Sequence, residues 1–305
     1  MMHARDFLLW GLLAGLWGSS FLAIGVAVES YSPETLVFGR MAIGAIILAV
    51  VLLIRGSGLS LGVRGWVIAA VVGFSGNVLP FLLISYAEQE VDTGLAALIM
   101  GIAPIVTLAA APLVHHEESL GLSKILGAVA GFGGVLLLVV PDIAPGNLGS
   151  LLPQVALVCA ALCYSFTALF SRRFPHSDPI QMAAASVLAG ALGMGGYLLI
   201  FFEPQTVPEL LDVSSLAVVY LGLGPTALAA LIYFYLIPRI GAARLSQVNY
   251  VVPVVGTLLG IFFLGEHPVW TTWLALPMIL TGVYLVTRKE RRIAGHGVDA
   301  SQPAE

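Results

Sequence analysis

The sequence predicts an all-α membrane protein of ten transmembrane helices, built as two inverted five-helix repeats with both termini cytoplasmic. Three observations predict it. Apolar residues make up 59% of the 305 positions and charged ones 10%, against roughly a quarter charged in soluble domains, and mean hydropathy is +0.99. Apolar runs recur at lengths that suit a bilayer, where a helix needs about 20 residues to cross. The basic residues between those runs fall almost wholly into alternate loops.

The runs follow one another with short connections. Residues 7–28 follow His3 and Arg5; at this length the run exceeds a signal-peptide core, so it reads as an uncleaved first helix. Residues 33–54 begin at Pro33 and hold Arg40, while 66–87 lie between Arg64 and Glu88. Residues 93–114 run from Asp92 to His115, and 124–140 from Lys124 to Pro141. In the other half, 151–171 stop at Arg172 and Arg173, and 179–202 run from Pro179 to Glu203. The last three are 216–237, closed by Pro238 and Arg239, then 244–263, which begins at Arg244, and 270–287, which stops at Arg288.

Alternating the loops sorts the charges. One side receives Arg5, Arg55, Arg64, Lys124, Arg172, Arg173, Arg239, Arg244, Arg288, Lys289, Arg291 and Arg292, which is 12 of the 13 basic residues. The other collects Glu29, Glu34, Glu88, Glu90, Asp92, Asp142, Glu203, Glu209, Asp212 and Glu266. The positive-inside rule then sets both termini in the cytoplasm. Arg40 is the remaining basic residue and lies within the second helix. Residues 288–305 read as a basic topogenic cluster followed by a disordered end.

The chain is also written twice. At an offset of 149, Tyr86 matches Tyr235, Pro104 matches Pro253, Glu117 matches Glu266 and Gly133 matches Gly282. At 146 to 147, Pro33 matches Pro179 and Trp17 matches Tyr164. Two units result, 1–145 and 146–287, and an odd number of helices in each turns them upside down relative to one another. That layout places a substrate site near the midplane.

The residues that could carry function are few. Arg40 lies about 10 Å inside its helix at about 1.5 Å per residue, where a cation is costly unless paired or facing water. It suits an anchor for a substrate carboxylate or phosphate, or half of an outer gate with Glu266 or Glu34; bonding to helix-end carbonyls is the alternative. Pro104 and Pro253 remove a backbone donor mid-helix and are candidate hinges, or static kinks. Glu117 and Glu266 end the same helices at opposite faces and are candidate latches, pairing with Lys124, Arg64 or Arg40. At mid-helix depth lie Trp17, Ser20, Asn77, Tyr86, Tyr164, Thr167, Thr226, Tyr233, Tyr235, Gln247 and Asn249. An Asn or Gln in hydrocarbon needs a partner or a wet cavity, so Asn77, Gln247 and Asn249 are the favoured ligand-bonding groups. Gly11-x-x-x-Gly15, Gly127-x-x-x-Gly131 and Gly256-x-x-x-Gly260 permit close helix contact, and the second could also serve a homodimer.

The segment Trp17-Gly18-Ser19-Ser20-Phe21 resembles the opening of EamA-like members of the drug/metabolite transporter superfamily. Arg40 after Phe38-Gly39, Asn77-Val78-Leu79-Pro80-Phe81 with Tyr86-Ala87, and Leu98 to Pro104 with Glu117 are similar to that family's second, third and fourth helices. Pro253 with Leu264-Gly265-Glu266 repeats the pattern. The resemblance spans about residues 7 to 287. It implies ten helices in two repeats and export or exchange of small metabolites, amino acids or drugs by alternating access. It also brings Phe81 and Met100 into the candidate substrate-binding set of Trp17, Ser20, Arg40, Asn77, Tyr164, Thr167, Tyr233, Gln247 and Asn249. The second repeat departs from the first: Tyr164-Ser165 stands for Trp17-Gly18, and Ser186 or Val187 for Arg40, so the cavity should be chemically lopsided.

The expected function is a secondary transporter in the bacterial inner membrane, with a small-molecule substrate, a lipid bilayer around it, and a monomeric or homodimeric state. The alternatives are a channel-like pore and an intramembrane enzyme. The 13 basic residues form no stripe on a soluble face, which sets nucleic acid aside. Cys159 and Cys163 share one apolar run, and His115-His116-Glu117-Glu118 points its histidines to different helix faces, so no metal or other cofactor is expected. No Asp or Glu occupies a helix centre, which predicts facilitated exchange or export, with any proton coupling left to the gate-end glutamates.

Overall fold

The structure is a computed structural model that describes residues 3–114, 121–143, 148–174, 178–201 and 212–287. All regular structure among these residues is helical. The helices are α1 Ala4–Val28, α2 Pro33–Ile54, α3 Val63–Gly73, α4 Leu79–Ala87, α5 Thr93–Met100, α6 Ala103–Val114 and α7 Leu122–Ile143. They continue as α8 Leu148–Arg173, α9 Pro179–Phe201, α10 Val213–Leu221, α11 Ala229–Ile240, α12 Ala242–Leu245, α13 Val248–Leu259 and α14 Trp270–Thr287. Three π-helical turns interleave: π1 Phe74–Val78, π2 Gly222–Leu228 and π3 Gly260–Leu264.

Among the described residues, eight stretches are long and apolar enough to cross a membrane. Two of them, Val63–Ala87 and Val213–Ile240, run through π1 and π2. Leu122–Leu138 and Val248–Leu264 are shorter apolar helices. The helix starts carry local signals: Ser32 accepts from the Thr35 amide ahead of Pro33, and Asp178 Oδ1 accepts from Ile180 and Gln181 ahead of Pro179. Proline at the first helical position costs nothing, since that amide has no intrahelical partner. Gly241 and Gly265, at φ of 79° and 67°, end α11 and π3 in backbone regions that a side chain disfavours.

The packing is reciprocal. α1 lies against α10, α11 and α13, while α8 lies against α4 and α6. α2 packs on α9 and α7 on α14. Lipid supplies no hydrophobic force between helices, so close approach of small residues does the holding. A Cβ on Gly73 would strike the Ser186 carbonyl, and one on Gly282 would sit 2.7 Å from the Gly127 carbonyl and the Gly131 amide. The Gly127-x-x-x-Gly131 stripe therefore faces α14 and Ile105 inside the bundle, where the sequence also allowed a dimer contact.

The two ends of the bundle differ in charge. At one, Arg239 and Arg5 lie over Tyr235, at 4.3 and 5.3 Å from its ring centroid, and the Trp10 indole donates to the Arg244 carbonyl. At the other, Tyr31 bonds Ser215 across 2.7 Å, and Glu88, Thr93 and Glu266 gather.

Candidate functional site

Arg40 is enclosed by the bundle and is 3% exposed. Its Nε donates to Thr226 Oγ1 at 2.8 Å, and its guanidinium carbon lies 3.6 Å from the centroid of the Phe81 ring. Tyr164 and Glu88 are the titratable groups that interact with it electrostatically, Tyr164 the more strongly. Nη1 is buried with no hydrogen-bond partner. A desolvated cation whose strongest donors are only partly used is costly.

Local sequence explains how Thr226 reaches it. Pro225 cannot donate to the preceding turn, and Gly222 and Gly224 weaken the α-helix there, so the backbone widens into π2. A Cβ on Gly222 would lie 2.9 Å from the Arg40 carbonyl, and one on Gly44 would lie 2.8 Å from the Thr226 methyl. Both glycines are what let α2 and π2 meet closely enough for the bond.

The other predicted residues are distributed around this centre. Phe81 lies beneath the guanidinium and Tyr164 faces it electrostatically. Trp17 and Tyr233 pair with ring centroids 6.0 Å apart. Thr167 bonds the Cys163 carbonyl and Ser75 Oγ, tying α8 to π1, where half-buried Asn77 makes no hydrogen bond to a described residue. The Ser20 hydroxyl is used within its own helix, donating to the Trp17 carbonyl at 2.6 Å. Met100 is buried at the end of α5, Asn249 is half-buried, and Gln247 is exposed.

The proline positions behave differently from one another. The chain breaks at Gly101 and Ile102, just before Pro104, and Ser165 Oγ donates to the Ala103 carbonyl at 3.0 Å. α13 instead runs unbroken through Pro253.

Glu266 forms a second centre. Its Oε1 accepts from the Thr93 amide at 2.6 Å and the Thr93 hydroxyl at 2.7 Å, and its Oε2 accepts from the Gly94 amide at 3.0 Å. A carboxylate there satisfies the orphan donors of α5 and meets the positive end of its dipole. Gly260 makes the room, since a Cβ at that position would overlap the Glu266 carboxylate. The sequence paired Glu266 with basic side chains; the structure gives it a helix terminus. Glu117 lies outside the described residues.

Glu88 is the residue that sequence reasoning missed. Assigned to a loop, it is 7% exposed; neither carboxyl oxygen makes a hydrogen bond of normal geometry, and the Gly25 backbone is the one polar neighbour close enough to favour its charged form by hydrogen bonding. Burial, and then the neighbouring Glu266 carboxylate, push its carboxyl well above the usual range, which Arg40 only partly offsets. The signal was present: Phe81, Ser85 and Glu88 recur at i, i+4 and i+7 and so share one face of a helix. Two apolar grooves open on the outside of the bundle, one between Ala70, Phe74 and Phe166, the other between Ile125, Phe132 and Leu136, and neither includes Arg40.

A multi-pass bundle of membrane-crossing helices around an enclosed charge has the architecture of a membrane transporter. The chain belongs to the EamA-like transporter family, whose profile matches residues 7–140 and again residues 152–288. It is 29% identical over 293 residues to YedA, an uncharacterized inner membrane transporter of Escherichia coli, covering 94% of this chain and 93% of that one. It is 26% identical over 303 residues to a probable terminal-alkyne amino-acid exporter of Streptantibioticus cattleyicolor, covering 96% and 97%. A solved crystal structure 23% identical in sequence superposes with a TM-score of 0.67, covering 92% of this chain and 97% of that one, and shares the fold.

Proposed function

We propose that this protein is a secondary transporter of the bacterial inner membrane, with ten helices in two inverted repeats and cytoplasmic termini. It exports or exchanges a small metabolite, amino acid or drug-like solute by alternating access. The observation that carries the reading is the buried Arg40 guanidinium, held by Thr226 and Phe81 with Nη1 unpartnered, which suits a carboxylate or phosphate on the solute. The reciprocal packing of α1 on α10, α11 and α13 and of α8 on α4 and α6 supports the inverted repeat, as do the two profile matches. The Glu266 cap is the outer latch in this reading, and the break before Pro104 is a hinge.

Counterflow in proteoliposomes tests the carrier. Trans-acceleration by unlabelled solute is the expected result; conduction that neither saturates nor exchanges would indicate a pore. Cysteine labelling should place Ser60 and Ala300 on the same side of the lipid.

A further inference from the structure

The apolar groove bordered by α3, π1 and α8 lies where these helices turn to other neighbours, since α3 packs on α9, and α8 on α4 and α6. Its volume is about 630 Å³. One wall is Ala70, Phe74 and Leu79, and the other is Leu162, Cys163 and Phe166. Phe74, Leu162 and Phe166 are each about half exposed. Ser75 is the one hydroxyl in the lining, and it is already engaged: it donates to the Val71 carbonyl at 2.7 Å and bonds Thr167 Oγ1 at 2.7 Å. With that group satisfied inside the protein, what fits the groove is hydrocarbon.

The groove leads to a pair of cations. Phe166, Phe170 and Phe174 follow one another at four-residue steps along one face of α8, with ring centroids 5.7 and 4.9 Å apart. At the end of that row, the guanidinium carbons of Arg64 and Arg173 each lie 6.0 Å from the Phe174 ring centroid. Arg64 is in the first turn of α3 and Arg173 ends α8, so the helices that wall the groove also carry the two charges. Both side chains are exposed, and neither makes an ion pair with a described residue. α1 and α2 run across the bundle and back, which puts Arg64 at the same end as Arg5. From Arg64 to Phe74 is about 15 Å along the axis at about 1.5 Å per residue, half of a hydrocarbon core of about 30 Å. That is the depth to which the chains of one leaflet reach.

We infer that α3 and α8 hold an anionic phospholipid at the basic end of the bundle. Its head-group phosphate lies by Arg64 and Arg173, and one acyl chain follows Phe174, Phe170 and Phe166 into the groove. A trench of hydrocarbon alone takes any lipid; the two guanidiniums select the charged ones, each basic residue near the surface favouring an anionic lipid by a factor of about five. A small soluble anion meets the arginines and leaves the groove unused. The seated chain covers the Ser75–Thr167 bond that ties π1 to α8. None of this depends on which solute the protein carries.

The test is native mass spectrometry of the full-length protein released from detergent micelles. It is titrated with dioleoyl phosphatidylglycerol and with dioleoyl phosphatidylcholine, which share their chains and differ in charge. The wild type is expected to take one phosphatidylglycerol at least about tenfold more tightly than phosphatidylcholine. The double variant Arg64→Gln, Arg173→Gln should erase that preference. The double variant Arg5→Gln, Arg239→Gln should keep it, because it removes two exposed cations from the same end that lie over Tyr235 instead. Ala70→Trp fills the groove and should weaken both lipids. Dihexanoyl phosphatidylglycerol and inorganic phosphate test the same point without a substitution, and neither should displace the dioleoyl lipid when in large excess. Equal binding of the two dioleoyl lipids by the wild type, or a preference that survives the loss of Arg64 and Arg173, overturns the site. A preference lost equally with Arg5 and Arg239 reduces it to diffuse surface charge, and displacement by phosphate or by the short-chain lipid reduces it to an anion site without a groove; either result overturns the inference.

Discussion

Glu266 caps a helix that begins 173 residues earlier in the chain, taking both the amide and the hydroxyl of Thr93. One carboxylate thus holds two distant parts of the fold together at the acidic end of the bundle. Such a bond is strong while the helix terminus is dry and weak once water reaches it.

Glu266→Ala should therefore loosen that end without unfolding the bundle. Loss of an N-cap costs about 0.5–2 kcal/mol. Hydrogen exchange at the Thr93 and Gly94 amides should accelerate in the variant, while amides in the α7–α14 pair keep wild-type rates.

Gly260→Ala should reproduce this effect from the other side of the contact, because the added Cβ overlaps the Glu266 carboxylate. Gly11→Ala provides the control: nothing lies within 4 Å of a Cβ there, and Ala gains about 1 kcal/mol over Gly in a helix. The melting midpoint should fall for the first and hold or rise for the second.

Arg40→Lys keeps the charge and loses the fork. The Nε bond to Thr226 at 2.8 Å disappears, as does the guanidinium contact over the Phe81 ring. Solute binding should weaken by about 1.5–3 kcal/mol, the range for a hydrogen bond to a charged group. Thr226→Val should cost less, since it leaves the guanidinium in place, and titration calorimetry orders the two.

Raising the pH should destabilise the folded protein. The Glu88 carboxyl is raised above its ordinary value of 4.5 by burial and by Glu266, and Asp92 is raised above 3.8 by burial, then Glu266. The folded protein then binds protons more tightly than the unfolded chain, so stability is fullest below those ordinary values and is lost as pH climbs toward the raised ones. Glu88→Gln should flatten most of that slope in melting curves taken across the acidic to neutral range.

The all-helical, membrane-crossing character of the chain could be read from the sequence because bilayer-length apolar runs are a global signal. Pro33 and Pro179 open α2 and α9 as their positions imply. Arg40 stood out because a cation within an apolar run is conspicuous. Glu88 did not, because a carboxylate next to Gln89, Glu90 and Asp92 has the composition of a loop. Its burial comes from tertiary packing, with the α1 backbone at Gly25 close to its carboxyl. The Thr93 cap was equally hidden, since a helix terminus satisfied from a distant segment leaves no local pattern. Proline marked one break and missed the other: the chain parts before Pro104, yet stays helical through Pro253 and widens instead at Gly260.

π1 and π2 each hold one residue more than an α-helical turn would. Passing that surplus along the helix would rotate the following segment by about 100°, which is enough to swing Thr226 off the Arg40 Nε while the ladder of backbone bonds re-forms behind it. A shift of that kind would free the Arg40 guanidinium from Thr226 without melting the helix.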